Sequence, residues 1–219
     1  ASFNNEGQVL WKFSLIKVSE KENILCLVFY HAIFDGRSCD IFYRELCSLY
    51  HSYIVNNFTG LIASNLQYAD FSFWQQDNLN SPAILDDLNY WKNHLSGDLP
   101  ILEVPPDYPR PLVQSYNGDS VSFHLSRDKV AELTEMGRSQ NSTLYMVLLS
   151  VYCLLLGRYT GQNELIVGTP VAGRPHDELN DIIGFFANTL ALRLNLNRTM
   201  NFRDLLNHIK DISIEAFSH

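Results

Sequence analysis

Ile24-Leu25-Cys26-Leu27-Val28-Phe29-Tyr30-His31-Ala32-Ile33-Phe34-Asp35-Gly36 joins an uninterrupted apolar run to an imidazole, a carboxylate and a glycine. A run of that length is the pattern of a strand covered on both faces of a sheet, so His31 is expected where a rigid strand ends. A neutral imidazole there can take a proton from a nucleophile or donate a hydrogen bond to a developing oxyanion. Asp35 is placed to fix the backbone or the histidine, and Gly36 to turn the chain tightly without a side chain in the way of a substrate. The same spacing also reads as a core histidine beside an Asp-Gly turn, and HxxxDG alone does not choose between the two.

Upstream, residues 9–18 alternate around Val9, Trp11, Phe13 and Leu15, and residues 19–23 turn the chain, which predicts a hairpin leading into His31. Downstream, Ser38 is the expected N-cap of a helix carrying Ile41, Phe42, Leu46, Leu49, Tyr50 and Tyr53 on one side. Ser81-Pro82 opens a further helix presenting Ile84, Leu88, Trp91 and Leu95, and Gly97 stops it. Five of the eight prolines then fall between Pro100 and Pro111, too dense for helix or central strand, so residues 100–118 read as an extended linker.

Beyond it, Val121, Phe123 and Leu125 alternate as a strand, and Ser126 caps a helix ending near Arg138. Asn141 or Ser142 starts a helix apolar nearly all round, with Leu144, Val147, Leu148, Val151, Leu154 and Leu155, expected to be buried at the centre of a second lobe. Leu165-Ile166-Val167 is a short strand, and Leu190, Leu192, Leu194 and Leu196 alternate in another, with Arg193 on the opposite side. A last amphipathic helix begins near Asn201. The organisation expected is residues 1–99 as the end of one lobe bearing the histidine motif, 100–118 as a crossing linker, and 119–219 as the first part of a second lobe. The fold class is mixed α/β (α+β).

A chain of 219 residues with 46% hydrophobic and 12% aromatic content is globular material. Its net charge of −8 and the lack of any Lys/Arg run oppose nucleic-acid backbones and anionic membranes as partners. Cys26, Cys39, Cys47 and Cys153 have neither CxxC spacing nor a histidine cluster nearby, so they read as reduced packing residues and no metal site is expected. The longest apolar segment, residues 144–156, is too short to span a bilayer, and residues 1–6 carry no signal-peptide pattern, which makes a cytoplasmic location the expectation.

The histidine motif resembles the HHxxxDG signature of condensation domains in nonribosomal peptide synthetases. Three further segments resemble that family in the order it shows: Gln67-Tyr68-Ala69-Asp70-Phe71-Ser72-Phe73-Trp74-Gln75, Val167-Gly168-Thr169-Pro170-Val171-Ala172-Gly173-Arg174-Pro175-His176, and Ile183-Gly184-Phe185-Phe186-Ala187-Asn188-Thr189-Leu190-Ala191-Leu192-Arg193. The resemblance implies a two-lobed fold like chloramphenicol acetyltransferase, here a partial domain incomplete at both ends. It implies amide formation between a donor acyl or peptidyl thioester and an acceptor aminoacyl thioester. No cofactor would be held by the domain itself: phosphopantetheine arms would come from donor and acceptor peptidyl carrier proteins, with an adenylation domain adjacent. His31 would be the functional histidine, with Asp35 and Gly36 completing the catalytic motif, while Tyr30 stands in place of the signature's first histidine.

Asp35 would be structural, paired with an arginine from upstream of this chain. Tyr30, Asn188 and Arg193 would line the substrate and pantetheine tunnel. For Asn188 a turn or strand-end residue bonding to backbone is an equal reading, and for Arg193 a solvated strand face is the preferred one. Tyr68, Asp70 and Trp74 would pack the floor. Gly173-Arg174-Pro175-His176 reads as a loop. The rival readings are a CoA-dependent acyltransferase, whose DFGWG signature is absent, and a non-catalytic condensation-like module that docks carrier proteins.

Overall fold

The computed structural model describes residues 7, 9–57, 60–61, 64–197 and 199–219; residues 1–6, read above for a signal pattern, lie outside the described residues. The chain forms two compact units, Ala1–Ser81 with Pro170–Thr189, and Pro82–Thr169 with Leu190–His219.

In the first unit, β1 (Trp11–Lys17) and β2 (Asn23–Phe29) make the expected hairpin, antiparallel with Trp11 opposite Phe29 and Lys17 opposite Asn23. The amides of Val18 and Ser19 both donate to the Glu22 carbonyl and close the turn. The expected cover on both faces is not found. The hairpin is a sheet of its own, and Ile24, Leu25 and Cys26 are exposed because no layer lies over that end among the described residues. Only the end nearest His31 packs: Phe29 stacks on Phe34 at 3.9 Å and meets Phe42 edge-on at 5.4 Å.

α1 (Gly36–Ile54) starts earlier than predicted, because its N-cap is Asp35 and not Ser38. Both residue types cap helices, but the Asp35 carboxylate reaches the Ser38 amide at 2.8 Å, which leaves Ser38 inside the first turn and fully buried. α2 (Tyr68–Asn78) is a helix that the sequence pattern does not predict. It has no one-sided apolar stripe to reveal it, and a capping box between Gln67 and Asp70 begins it. Phe71, Leu179, Ile182 and Phe186 form the core of this unit.

In the second unit, α3 (Pro82–His94) carries proline in its first turn, and Gly97 follows with φ of +75°, as the sequence predicts. Residues 95–126 contain no helix or strand. The predicted strand at Val121, Phe123 and Leu125 is therefore absent. Val121 and Phe123 are 93% and 80% exposed, and alternation without a neighbouring strand to pair with does not hold a β-ladder. Gln162 pins the proline-rich stretch, donating from Nε2 to the Ile101 carbonyl at 2.8 Å and accepting from the Glu103 amide at 3.4 Å.

α4 (Arg127–Ser139) is capped by Ser126 as expected. The cap of α5 (Leu144–Thr160) is Thr143 and not Asn141 or Ser142: its hydroxyl accepts from the Met146 amide, while Asn141 sits at φ +51° in the turn before. α5 is buried on one side only. Met146, Val147, Leu149, Cys153 and Leu156 are inside, whereas Leu148, Val151, Leu154 and Leu155 face solvent. β3 (Glu164–Val171) and β4 (Asn188–Asn195) pair as a second two-stranded sheet, and α6 (Phe202–Ser218) follows its Asn201 cap. Leu192, Leu194 and Leu196 pack on Leu149, Cys153, Leu205 and Ile209. Among the described residues no single helix is long and apolar enough to cross a membrane.

Candidate active site

His31 opens a short 3-10 turn, His31–Ile33, between β2 and α1. Its Nδ1 lies 2.9 Å from the carbonyl oxygen of Phe34. A carbonyl only accepts, so Nδ1 carries the hydrogen and the lone pair of the neutral ring is on Nε2. The imidazole is exposed, and Phe185 meets it edge-on with centroids 5.2 Å apart and planes at 90°.

Beneath it, Asp35 is 3% exposed. Its carboxylate accepts from the Ser38 amide and hydroxyl, both at 2.8 Å, from the Phe186 amide at 3.1 Å, and from Arg174 Nη2 at 3.3 and 3.4 Å. Burial by itself would raise this carboxyl, but the Ser38, Phe186 and Arg174 interactions together outweigh it and hold the group below its ordinary 3.8. The arginine that the family resemblance placed upstream is thus Arg174, within this chain. Its other terminal nitrogen donates to the Leu179 and Ile182 carbonyls, and its guanidinium lies 4.0 Å from the centroid of the Phe186 ring. In the sequence Arg174 reads only as a loop residue. Its signal was a lone arginine next to a glycine in an apolar segment: Gly173 has φ of +61°, and a Cβ there would collide with the Phe186 carbonyl.

Tyr30 is half-buried, and its amide donates to the Leu10 carbonyl at 2.9 Å, tying the motif to the entrance of β1. Gly36 is the first residue of a helix and not a strained turn, and a Cβ there would meet nothing within 4 Å, so the space beside it is open. Tyr68 donates its hydroxyl to the Phe185 carbonyl at 2.8 Å, Asp70 accepts the Gln67 amide at 2.8 Å, and Trp74 packs on Phe71 and meets His176 edge-on at 5.2 Å. Asn188 is exposed and its side chain accepts the Thr189 amide at 2.8 Å.

Arg193 belongs to the second unit. Its guanidinium binds Glu164 at 2.6 Å and the carbonyls of Ser96 at 2.6 Å, Asp98 at 3.3 Å and His94 at 3.4 Å. The expectation for cysteines needs correction: Cys153 is buried, but Cys26, Cys39 and Cys47 are exposed, since β2 and the outer side of α1 carry no covering layer among the described residues.

A histidine presented at a strand end, followed by a helix capped by the motif aspartate, goes with the chloramphenicol acetyltransferase-like fold of the solved structures this chain matches. The X-domain from teicoplanin biosynthesis matches with a TM-score of 0.87 and 26% identity, over 99% of this chain and 49% of that one. The four-domain nonribosomal peptide synthetase AB3403, in its holo form with AMP and glycine, matches with a TM-score of 0.81 and 25% identity, over 96% of this chain and 16% of that one. The family model for the condensation domain matches residues 1–219, and the chain belongs to that family. It is 38% identical over 210 residues to tyrocidine synthase 3 of Brevibacillus parabrevis, covering 96% of this chain and 3% of the synthase. It is also 39% identical over 217 residues to chondramide synthase cmdD of Chondromyces crocatus, covering 99% and 6%. The chain therefore spans about half the X-domain chain and a small fraction of each synthase.

Proposed function

We propose that this chain is the part of a synthetase condensation domain that carries the reacting histidine, and that the reaction is amide formation between two thioesters held on carrier-protein phosphopantetheine arms. The observation that carries the reading is the His31 tautomer. With Nδ1–H directed at the Phe34 carbonyl, Nε2 keeps an acceptor lone pair at an exposed position. An acceptor α-amine has a reference pKa of roughly 7.7–8.0, so a useful fraction is neutral near pH 7 and needs no strong base. As nitrogen attacks the donor thioester carbonyl it gains positive charge, and His31 Nε2 takes that proton while the thiolate leaves. Asp35, held by Arg174, fixes the motif, and the open space at Gly36 admits substrate.

Tyr30 and Asn188 line the path of substrate and pantetheine, while Arg193 serves the second unit through its bonds to Glu164 and the α3 end. Partners are the donor and acceptor carrier proteins and a neighbouring adenylation domain, in the cytoplasm. The names of the synthase relatives support this assignment, as does the fit of the four motif segments.

The test loads donor and acceptor carriers separately, incubates them with the synthetase condensation domain containing this chain, and follows the amide on the acceptor by intact-protein mass spectrometry. Product that falls sharply in a folded His31→Ala variant supports the reading. Equal product removes His31 from the reaction.

A further inference from the structure

His31 is fixed by two contacts of different kinds. The Phe34 carbonyl sets its tautomer, but one hydrogen bond leaves an exposed imidazole able to pivot about it. The Phe185 ring, edge-on at 5.2 Å, restrains the imidazole from a second direction and sets its plane. Phe185 is itself 37% exposed, so its own packing does not hold it still.

Its backbone does. On one side, the Gly184 amide donates to Ser38 Oγ at 3.0 Å, and the Ser38 hydroxyl lies 2.9 Å from the Gly184 carbonyl and 2.8 Å from Asp35 Oδ1, its single hydrogen serving either acceptor. On the other side, the Phe186 amide donates to Asp35 Oδ2 at 3.1 Å. The Phe185 carbonyl between them accepts the Tyr68 hydroxyl at 2.8 Å. Ser38 is fully buried, and the Gly184 amide and carbonyl that it meets lie 146 residues further along the chain. Buried polar groups paired this closely favour one geometry, since a shift takes a donor or acceptor away from its partner and out of reach of water.

We infer that Phe185 is a positioning residue for His31, and that Ser38 is the clasp that places it. This rests on the amide-forming role of His31 proposed above. The positioning acts on the direction of the Nε2 lone pair, so its loss falls on turnover more than on substrate affinity.

The test compares Phe185→Leu, Phe185→Tyr and Ser38→Ala with wild type in the same condensation domain with loaded carriers, and follows the His31 ring signals by NMR with [13C]histidine, assigned through His31→Gln. Phe185→Leu is expected to lower kcat about tenfold with KM within about twofold, and to shift the His31 signals. Phe185→Tyr keeps the ring and restores both. Ser38→Ala, which touches no atom of His31, is expected to move the same signals through Phe185. Unchanged kcat and unchanged His31 signals in Phe185→Leu overturn the inference, as does a Phe185→Tyr variant that behaves like Leu. If wild type forms no amide, the proposed reaction fails, while the NMR comparison still decides whether Phe185 positions His31.

Discussion

Arg174 reaches back 139 residues to Asp35, and both side chains are 2% exposed. A buried ion pair is not in itself a strong source of stability, because desolvation offsets most of the attraction. Its strength here is as a register device. The carboxylate also caps α1 and holds the Phe186 amide, so one residue fixes the helix that follows His31 and the segment that carries Phe185.

Removing Arg174 leaves Asp35 buried without its counter-charge. Arg174→Met is expected to destabilise the fold by about 3–5 kcal/mol, the range for breaking one side of a buried pair. Chemical denaturation of wild type and variant measures it. A difference within about 0.5 kcal/mol, the scatter of ordinary surface substitutions, means that the pair is not what holds this segment.

Acid acts on the same site. The folded Asp35 carboxyl lies below its ordinary 3.8, so the unfolded chain binds the proton more readily. The stabilisation is therefore fully present above that value and is lost as pH falls through the folded one. Asp35→Asn is expected to flatten the stability profile below pH ~4, and a profile as steep as wild type there assigns the acid sensitivity to other carboxylates.

The residues that define the site were legible because they lie in short runs whose chemistry is local. The strand before His31, the helix after it, the cap at Ser126 and the helix beginning near Asn201 all follow from neighbours within a few positions. Some of what failed was a choice between neighbouring caps, Asp35 over Ser38 and Thr143 over Ser142, and the rest depended on partners far along the chain. The apolar run of β2 encodes two-sided hydrophobicity but not the layer needed to bury it, and Val121, Phe123 and Leu125 alternate without a strand to pair with. Arg174 and Ser38 gain their roles only when residues 174–186 meet the start of α1, a juxtaposition no local pattern announces.

Arg193 knits β3, β4 and the end of α3 through a planar fork that a lysine cannot reproduce. Its side chain is 22% exposed and that of Glu164 40%, so solvent screens the ion pair and the carbonyl bonds carry more of the effect. Arg193→Lys is expected to cost about 1–2 kcal/mol and to speed amide hydrogen exchange across residues 90–98. Unaltered exchange there shows that the fork does not hold the end of α3.

The four cysteines should separate by reactivity. Burial pushes the Cys153 thiol up to about 12, and it is fully enclosed, whereas Cys26, Cys39 and Cys47 are exposed. Iodoacetamide under native conditions near pH ~8 is expected to label those three and spare Cys153, with all four labelled in denaturant. Peptide mapping reads this directly, and native labelling of Cys153 reveals opening of the α5 core.

Gly184 tests whether the clasp depends on close approach or only on its hydrogen bonds. Its backbone is not in the left-handed region, so alanine brings no conformational strain, but a Cβ there would run into the Tyr68 ring. The ring must move away, and with it the hydroxyl that holds the Phe185 carbonyl. Gly184→Ala is expected to destabilise by about 1–3 kcal/mol, the usual range for overpacking. The companion Tyr68→Phe removes only the hydroxyl and is expected to cost about 1 kcal/mol. In the double variant the two penalties should fall short of their sum, because the alanine has already displaced the hydroxyl that the phenylalanine lacks. Strict additivity indicates instead that the Tyr68 ring shifts while its hydrogen bond to Phe185 survives, and that close approach alone makes glycine necessary at position 184.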